Sequence, residues 1–182
     1  MRGANRAGTE TLYLDADVLP ILPISSIWQV LQTGSIALAV DVNATLSQWD
    51  HVAAAEKAYT LQRCAPDTVQ WNGGVMLWRR GPEVLTLFET WHREWLRWQQ
   101  QDQLALLRAI QVTQIPIVPL PPIYNFPAYQ MTPAVIQQNE VRLLHCLKGF
   151  VSAGRFRAIA QRLMPDSTAQ ALQLWQQVCS DV

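Results

Sequence analysis

The sequence predicts an α/β fold built on a mixed, partly parallel sheet. Short apolar runs alternate along the chain with segments of helical period, the pattern of sheets joined by crossover helices. One run, Ile36–Val42, is apolar almost throughout, as strands covered on both faces are. The 182 residues are 49% hydrophobic and only 15% charged, enough for one domain with a substantial core and too apolar for a disordered chain.

Thr11–Leu14 reads as the first strand, followed by a turn marked by Pro20 and Pro23. Ser25 or Ser26 caps a short helix reaching Leu31. After the strand Ile36–Val42 comes a helix over Ala53–Arg63. Trp71-Asn72-Gly73-Gly74 is expected as a turn running into a second buried strand, Gly74–Trp78. Gly81-Pro82 opens the clearest helix, because proline is well tolerated at the first helical position. Its apolar residues Val84, Leu87, Phe88, Trp91, Trp95 and Trp98 recur every three or four positions. That spacing is read as core packing rather than as a platform for carbohydrate. Asp102 stands where the N-cap of a further helix, reaching about Gln111, is expected. Ile115–Leu120 is extended and proline-rich, and Pro119–Pro127 is loop. Val141–Cys146 is the last strand. Ala153–Leu163 and Thr168–Cys179 are two closing helices, separated by Pro165, with Asp166 or Ser167 as the cap.

The formal net charge is zero, which argues against nucleic acid or an anionic membrane as partner, since both call for a basic surplus. Cys64, Cys146 and Cys179 are scattered and odd in number, forming neither a disulfide framework nor a zinc spacing. The N-terminus has no apolar core of a signal peptide, and no apolar run reaches the roughly 18 residues of a spanning helix. A cytoplasmic protein without a transmembrane segment is therefore expected.

Four groups of residues could carry chemistry. Asp15 and Asp17 follow an apolar strand one residue apart. If the strand continues, both side chains share a face. Two carboxylates side by side repel unless a cation lies between them, and Mg²⁺ and Mn²⁺ favour such oxygen donors. The alternative is a strand end finished by turn-forming aspartates. Asn72, Gly73 and Gly74 are either an ordinary turn or an open backbone beside a polar substrate that Asn72 contacts, with Trp71 available to a sugar ring. Asp102 and Gln103 are either helix-cap chemistry or a pair reaching a sugar hydroxyl. His145 ends an apolar strand, at the edge where open α/β sheets place ligands, and Lys148 follows it within reach of a phosphate. The alternative there is a satisfied strand-end histidine beside an ordinary surface lysine.

Tyr-Leu-Asp-Ala-Asp-Val, Asn-Gly-Gly-Val-Met-Leu-Trp, Asp-Gln-Leu-Ala-Leu-Leu and Leu-Leu-His-Cys-Leu-Lys-Gly occur here in that order. The ordered set, covering roughly Leu12 to Gly149, resembles nucleotide-diphospho-sugar transferases of the GT-A fold, glycosyltransferase family 8 and its relatives in particular. The resemblance implies that Asp15 and Asp17 are the DxD pair holding Mn²⁺ (or Mg²⁺) and through it the donor diphosphate, and that His145 completes the metal site. It places Asn72 and Gly73 beside the sugar and acceptor, Asp102 and Gln103 at the transferred sugar, and Lys148 at the diphosphate. The family's glycine-then-Lys-Pro-Trp continuation is missing, since Lys148 precedes Gly149 and Phe150 follows. A nucleotide-donor sugar and an acceptor are the implied partners, and family 8 similarity implies retention of anomeric configuration.

Only 14 residues precede Asp15, whereas the family carries a nucleotide-binding half upstream. The expectation is thus a single domain over 1–182, an incomplete GT-A mixed sheet flanked by helices with two C-terminal helices. It would be the metal, sugar and acceptor side of a transferase, with weak donor affinity alone. Arg2 and Arg6 would end the helix leading to the DxD strand. The non-enzymatic alternative is an inactive GT-A-like domain used for binding or assembly. The enzymatic rival is a haloacid-dehalogenase-type phosphatase, whose first Asp is a nucleophile. That family wants Thr or Val where this chain has Leu19, and a downstream acidic pair that is absent here.

Overall fold

The computed structural model describes residues 10–132, 134–135, 140–163 and 166. Seven strands and four α-helices occur among them: β1 (Glu10–Leu14), β2 (Val18–Pro20), β3 (Ile36–Thr45), α1 (Ala54–Leu61), β4 (Val69–Arg79), α2 (Pro82–Trp95), α3 (Gln103–Thr113), β5 (Val118–Pro119), β6 (Phe126–Pro127), β7 (Leu143–His145) and α4 (Arg155–Leu163). The expected helix at Ser25 is a 3-10 helix running to Thr33. Arg2, Arg6, Cys179 and the helix expected over Thr168–Cys179 lie outside the described residues.

The strands form two mixed sheets, as the expected fold class requires. The larger has the order β1-β4-β3-β5, antiparallel except for the parallel pair β3 and β5. The smaller has the order β2-β7-β6, with β2 antiparallel and β6 parallel to β7. β3 explains the choice of residues in Ile36–Val42. Ile36 and Leu38 pack with α2 and α3 through Val84, Leu87 and Leu106, while Ala37 and Ala39 face Ile27, Leu31 and Leu143 on the other side. Both faces are covered, so alternation vanishes from the sequence.

Three local expectations are corrected. Pro20 lies in β2, opposite Leu143 of β7, rather than in a turn. Trp71–Gly74 belongs to β4 rather than to a turn before it. The register against β3 slips there, from Leu38 opposite Met76 to Ala39 opposite Asn72, so Gly73, Gly74 and Val75 bulge without a partner on β3. Bulges of this kind re-aim side chains beside functional sites. The α2 helix stops at Trp95, and Gln99, with φ 52°, closes it in the left-handed region by donating its N–H to the Trp95 carbonyl at 2.8 Å.

Candidate functional site

The site forms where the two sheets meet. Asp15 and Asp17 do not continue β1; they occupy the turn that carries the chain from β1 in one sheet to β2 in the other. Convergence therefore comes from the turn and not from strand alternation. The turn is pinned on both sides. Asp15 N–H donates to the Gly74 carbonyl of β4 at 2.8 Å, Val18 N–H to the Asp15 carbonyl at 3.0 Å, and Cys146 N–H to the Asp17 carbonyl at 2.9 Å. Val18 pairs with His145 in register, which brings the imidazole beside Asp17.

Asp15, Asp17 and His145 each present one ligand atom, and these atoms lie within 4.8 Å of one another. Nε2 of His145 is 3.2 Å from Oδ1 of Asp17. Tyr13 Oη donates to Oδ1 of Asp15 at 2.6 Å. That hydrogen bond, then partial burial and the neighbouring carboxylates, pushes the Tyr13 phenol up to about 12. Two half-buried carboxylates and a buried imidazole form a mixed oxygen and nitrogen donor set that can hold a metal ion.

Gly74 is explained by this arrangement. A Cβ at position 74 would stand 2.2 Å from Cε1 of His145, so the imidazole lies directly on the glycine backbone. At Gly73 a Cβ would meet only Trp91, at an ordinary 4.0 Å. The glycine needed for close approach is thus the one under the histidine.

A hydrogen-bonded series of side chains runs behind the site. Asn72 Nδ2 donates to Asp41 Oδ2 at 2.9 Å, and Gln103 Nε2 donates to the same oxygen at 2.8 Å. Asn72 Oδ1 accepts from Gly74 N–H and from Asn125 Nδ2, both at 3.0 Å. Asn125 Oδ1 lies 2.8 Å from His145 Nδ1. Asn72 and Gln103 are thereby tied to His145 by Asp41 and Asn125, two residues that sequence reasoning missed. Asp41 had one signal: a carboxylate inside an apolar strand is costly unless it is bonded. Its side chain points inward and is only 6% exposed, while Val40 and Val42 on either side face out at 45% and 42%. Asn125 sits in a proline-rich loop and had no signal.

Asp102 occupies the N-cap position of α3, yet its side chain makes no cap hydrogen bond. Helix capping does not explain the residue. Its backbone carbonyl accepts from Trp91 Nε1 at 2.8 Å. Although much of the residue reaches solvent, the cleft walls strip water from its carboxyl and raise its pKa, and the Asp15 charge adds to the effect.

A cleft of about 400 Å³ holds Asp15, Asp17, His145, Asn72, Asp102 and Gln103, together with both glycines of the bulge. Trp91, Asp102 and Gln103 also wall a wider cleft of about 680 Å³, whose other surfaces include Trp49, Phe88 and Trp95. Trp91 and Phe88 pack against the core as expected, but Trp91 and Trp95 also face this open space. Trp71 packs against the core cluster under α2 and α3 and is not among the residues lining the 400 Å³ cleft. Lys148 lines an adjoining space of about 350 Å³ shared with Asp41, Asn72 and Gln103. Its ammonium lies 4.1 Å from the centre of the Tyr129 ring.

No family model matches this sequence, and no curated protein matches it. Among solved structures the fold is similar to that of WbbM, a bifunctional glycosyltransferase in its apo form, with a TM-score of 0.53 and 12% identity. The likeness covers 77% of this chain and 29% of that one. The chain thus shares a glycosyltransferase fold and spans under a third of the length of that protein.

Proposed function

We propose that this chain carries the metal, sugar and acceptor side of a GT-A glycosyltransferase related to family 8. In this reading Asp15, Asp17 and His145 hold Mn²⁺ or Mg²⁺, and the donor is a nucleotide-diphosphate sugar. The observation that carries it is the meeting of two carboxylates and an imidazole, from separate elements, in one cleft with Asp102 and Gln103. The likeness to a glycosyltransferase supports the class of reaction at the level of fold. When bound, the metal supplies positive charge against the negative charge that builds on a departing diphosphate.

The chain's own residues do the rest. His145 and the two aspartates orient the anionic end of the donor. Asp102 and Gln103 stand at the start of α3 on the wall shared by both clefts, so a sugar held there faces the wider one. Gln103 is held in place by Asp41. The acceptor enters through the 680 Å³ cleft. Its Trp49, Trp91 and Trp95 faces and the amides of Gln100 and Gln101 suit the apolar faces and hydroxyls of a saccharide, and among the described residues no lysine or arginine lines it. In this reading Lys148, which lines the adjoining space with Asn72 and Gln103, serves the donor diphosphate.

Donor hydrolysis tests the reading. The wild-type chain hydrolyses a nucleotide-diphosphate sugar with Mn²⁺, loses the activity when the metal is chelated, and loses it in Asp17→Ala. Metal-independent hydrolysis, or an unaffected Asp17→Ala, contradicts it.

A further inference from the structure

We infer that Asn125 is a positioning residue that holds a hydrogen on Nδ1 of His145, so that Nε2, 3.2 Å from Asp17, is the nitrogen turned toward a cation. The argument starts from a group whose role is fixed. The Gly74 backbone N–H can only donate, and the Asn72 amide atom it meets at 3.0 Å must therefore be the oxygen. The Asn72 nitrogen then faces the Asp41 carboxylate, which accepts from it at 2.9 Å. Turning the Asn72 amide over would set N–H against N–H at one end and oxygen against carboxylate at the other. The Asn72 oxygen also lies 3.0 Å from the Asn125 amide, which must therefore present its own nitrogen there. What remains on Asn125 is the carbonyl oxygen, 2.8 Å from Nδ1 of His145. An acceptor at that distance requires Nδ1 to carry the hydrogen.

Each link leaves the next with one choice. The choice is enforced by burial: Asn72 is 6% exposed and His145 2%, so a mispaired atom has no water to turn to. Gly74 contributes twice, through its N–H to Asn72 and through the missing Cβ that lets the ring lie against it. A metal-binding imidazole needs its free lone pair toward the ion, and the hydrogen bond on the other nitrogen decides which one is free. The proton assignment stands on these hydrogen bonds alone; its consequence for metal rests on the reading above.

The test uses the full chain. Long-range ¹H–¹⁵N correlation spectra are recorded on the metal-free protein. The expected result is a hydrogen bound to Nδ1 of His145. In Asn125→Leu, which removes the acceptor, the tautomer becomes mixed, and Mn²⁺ affinity by calorimetry weakens by about 10- to 100-fold. A bare Nδ1 in the wild type, or an unchanged Nδ1 hydrogen in a folded Asn125→Leu, overturns the inference. If Asn125→Leu does not fold, the wild-type spectrum decides it. A tautomer that changes while Mn²⁺ affinity does not, or a wild type that takes up no Mn²⁺, overturns the metal consequence and leaves the proton assignment standing.

Discussion

A methyl group at position 74 would sit 2.2 Å from the His145 ring, and the ring has backbone on one side and Asp17 on the other. Gly74→Ala is therefore expected to push the imidazole out of place, costing about 1–3 kcal/mol of stability as overpacking does. It should also abolish tight Mn²⁺ uptake. Gly73→Ala, with only an ordinary contact to Trp91, should retain both. Chemical denaturation and calorimetry on the pair check this. Asp102 makes a second prediction, in pH. Its carboxyl is raised in the fold by lost hydration, so the folded state holds the proton more tightly than the unfolded chain. Stability should then fall as pH rises from about 4, the unfolded carboxylate value, through the raised folded value. Asp102→Asn should gain stability over wild type near neutral pH, and the gain should disappear in acid. Melting curves across pH read this directly; a gain independent of pH contradicts it. At this scale Asp15, Asp17 and His145 were singled out by the ordered set of motifs they belong to, since each alone has an ordinary strand-end reading. The sequence hid Asn125, whose role depends wholly on what β7 brings beside it.

Elements position the site more than their own sequences reveal. The aspartates at 15 and 17 allowed a turn there, but nothing in Leu12–Val18 says that the turn crosses from one sheet to the other. β2 was hidden because Pro20, its last residue, and Pro23 beyond it read as a turn, although an edge position tolerates proline. Helix α3 shows the same point in its packing. Arg108 is fully buried, which no helical period predicts for a charged residue within Leu106-Leu107-Arg108-Ala109. Its guanidinium donates to Glu56 at 3.1 Å and Thr60 at 2.7 Å on α1, and to Glu94 on α2 at 2.8 Å. The three helices are thus clamped behind the α2–α3 connection that carries Asp102. Arg108→Ala strands the buried Glu56 carboxylate and is expected to destabilise the fold by about 3–5 kcal/mol. Urea unfolding of the variant measures it, and a loss below about 1 kcal/mol would deny the clamp its role.

Across the whole molecule, the fold class was legible because composition, the two-faced strand β3 and the proline-opened helix α2 all point to layered α/β packing. The division into two sheets was not, since β2, β5 and β6 are three residues or fewer and carry no periodicity. That division matters most to function, because the candidate metal ligands come from the seam between the sheets. Among the described residues no helix is long and apolar enough to cross a membrane. The likeness to a glycosyltransferase over 77% of the chain is one of fold. Mn²⁺ titration by calorimetry tests this most directly. The account predicts saturable binding at a single site in the wild type, lost in both Asp17→Ala and His145→Ala while their folds persist by circular dichroism. Absence of binding in the wild type, or equal binding in the two variants, would contradict it.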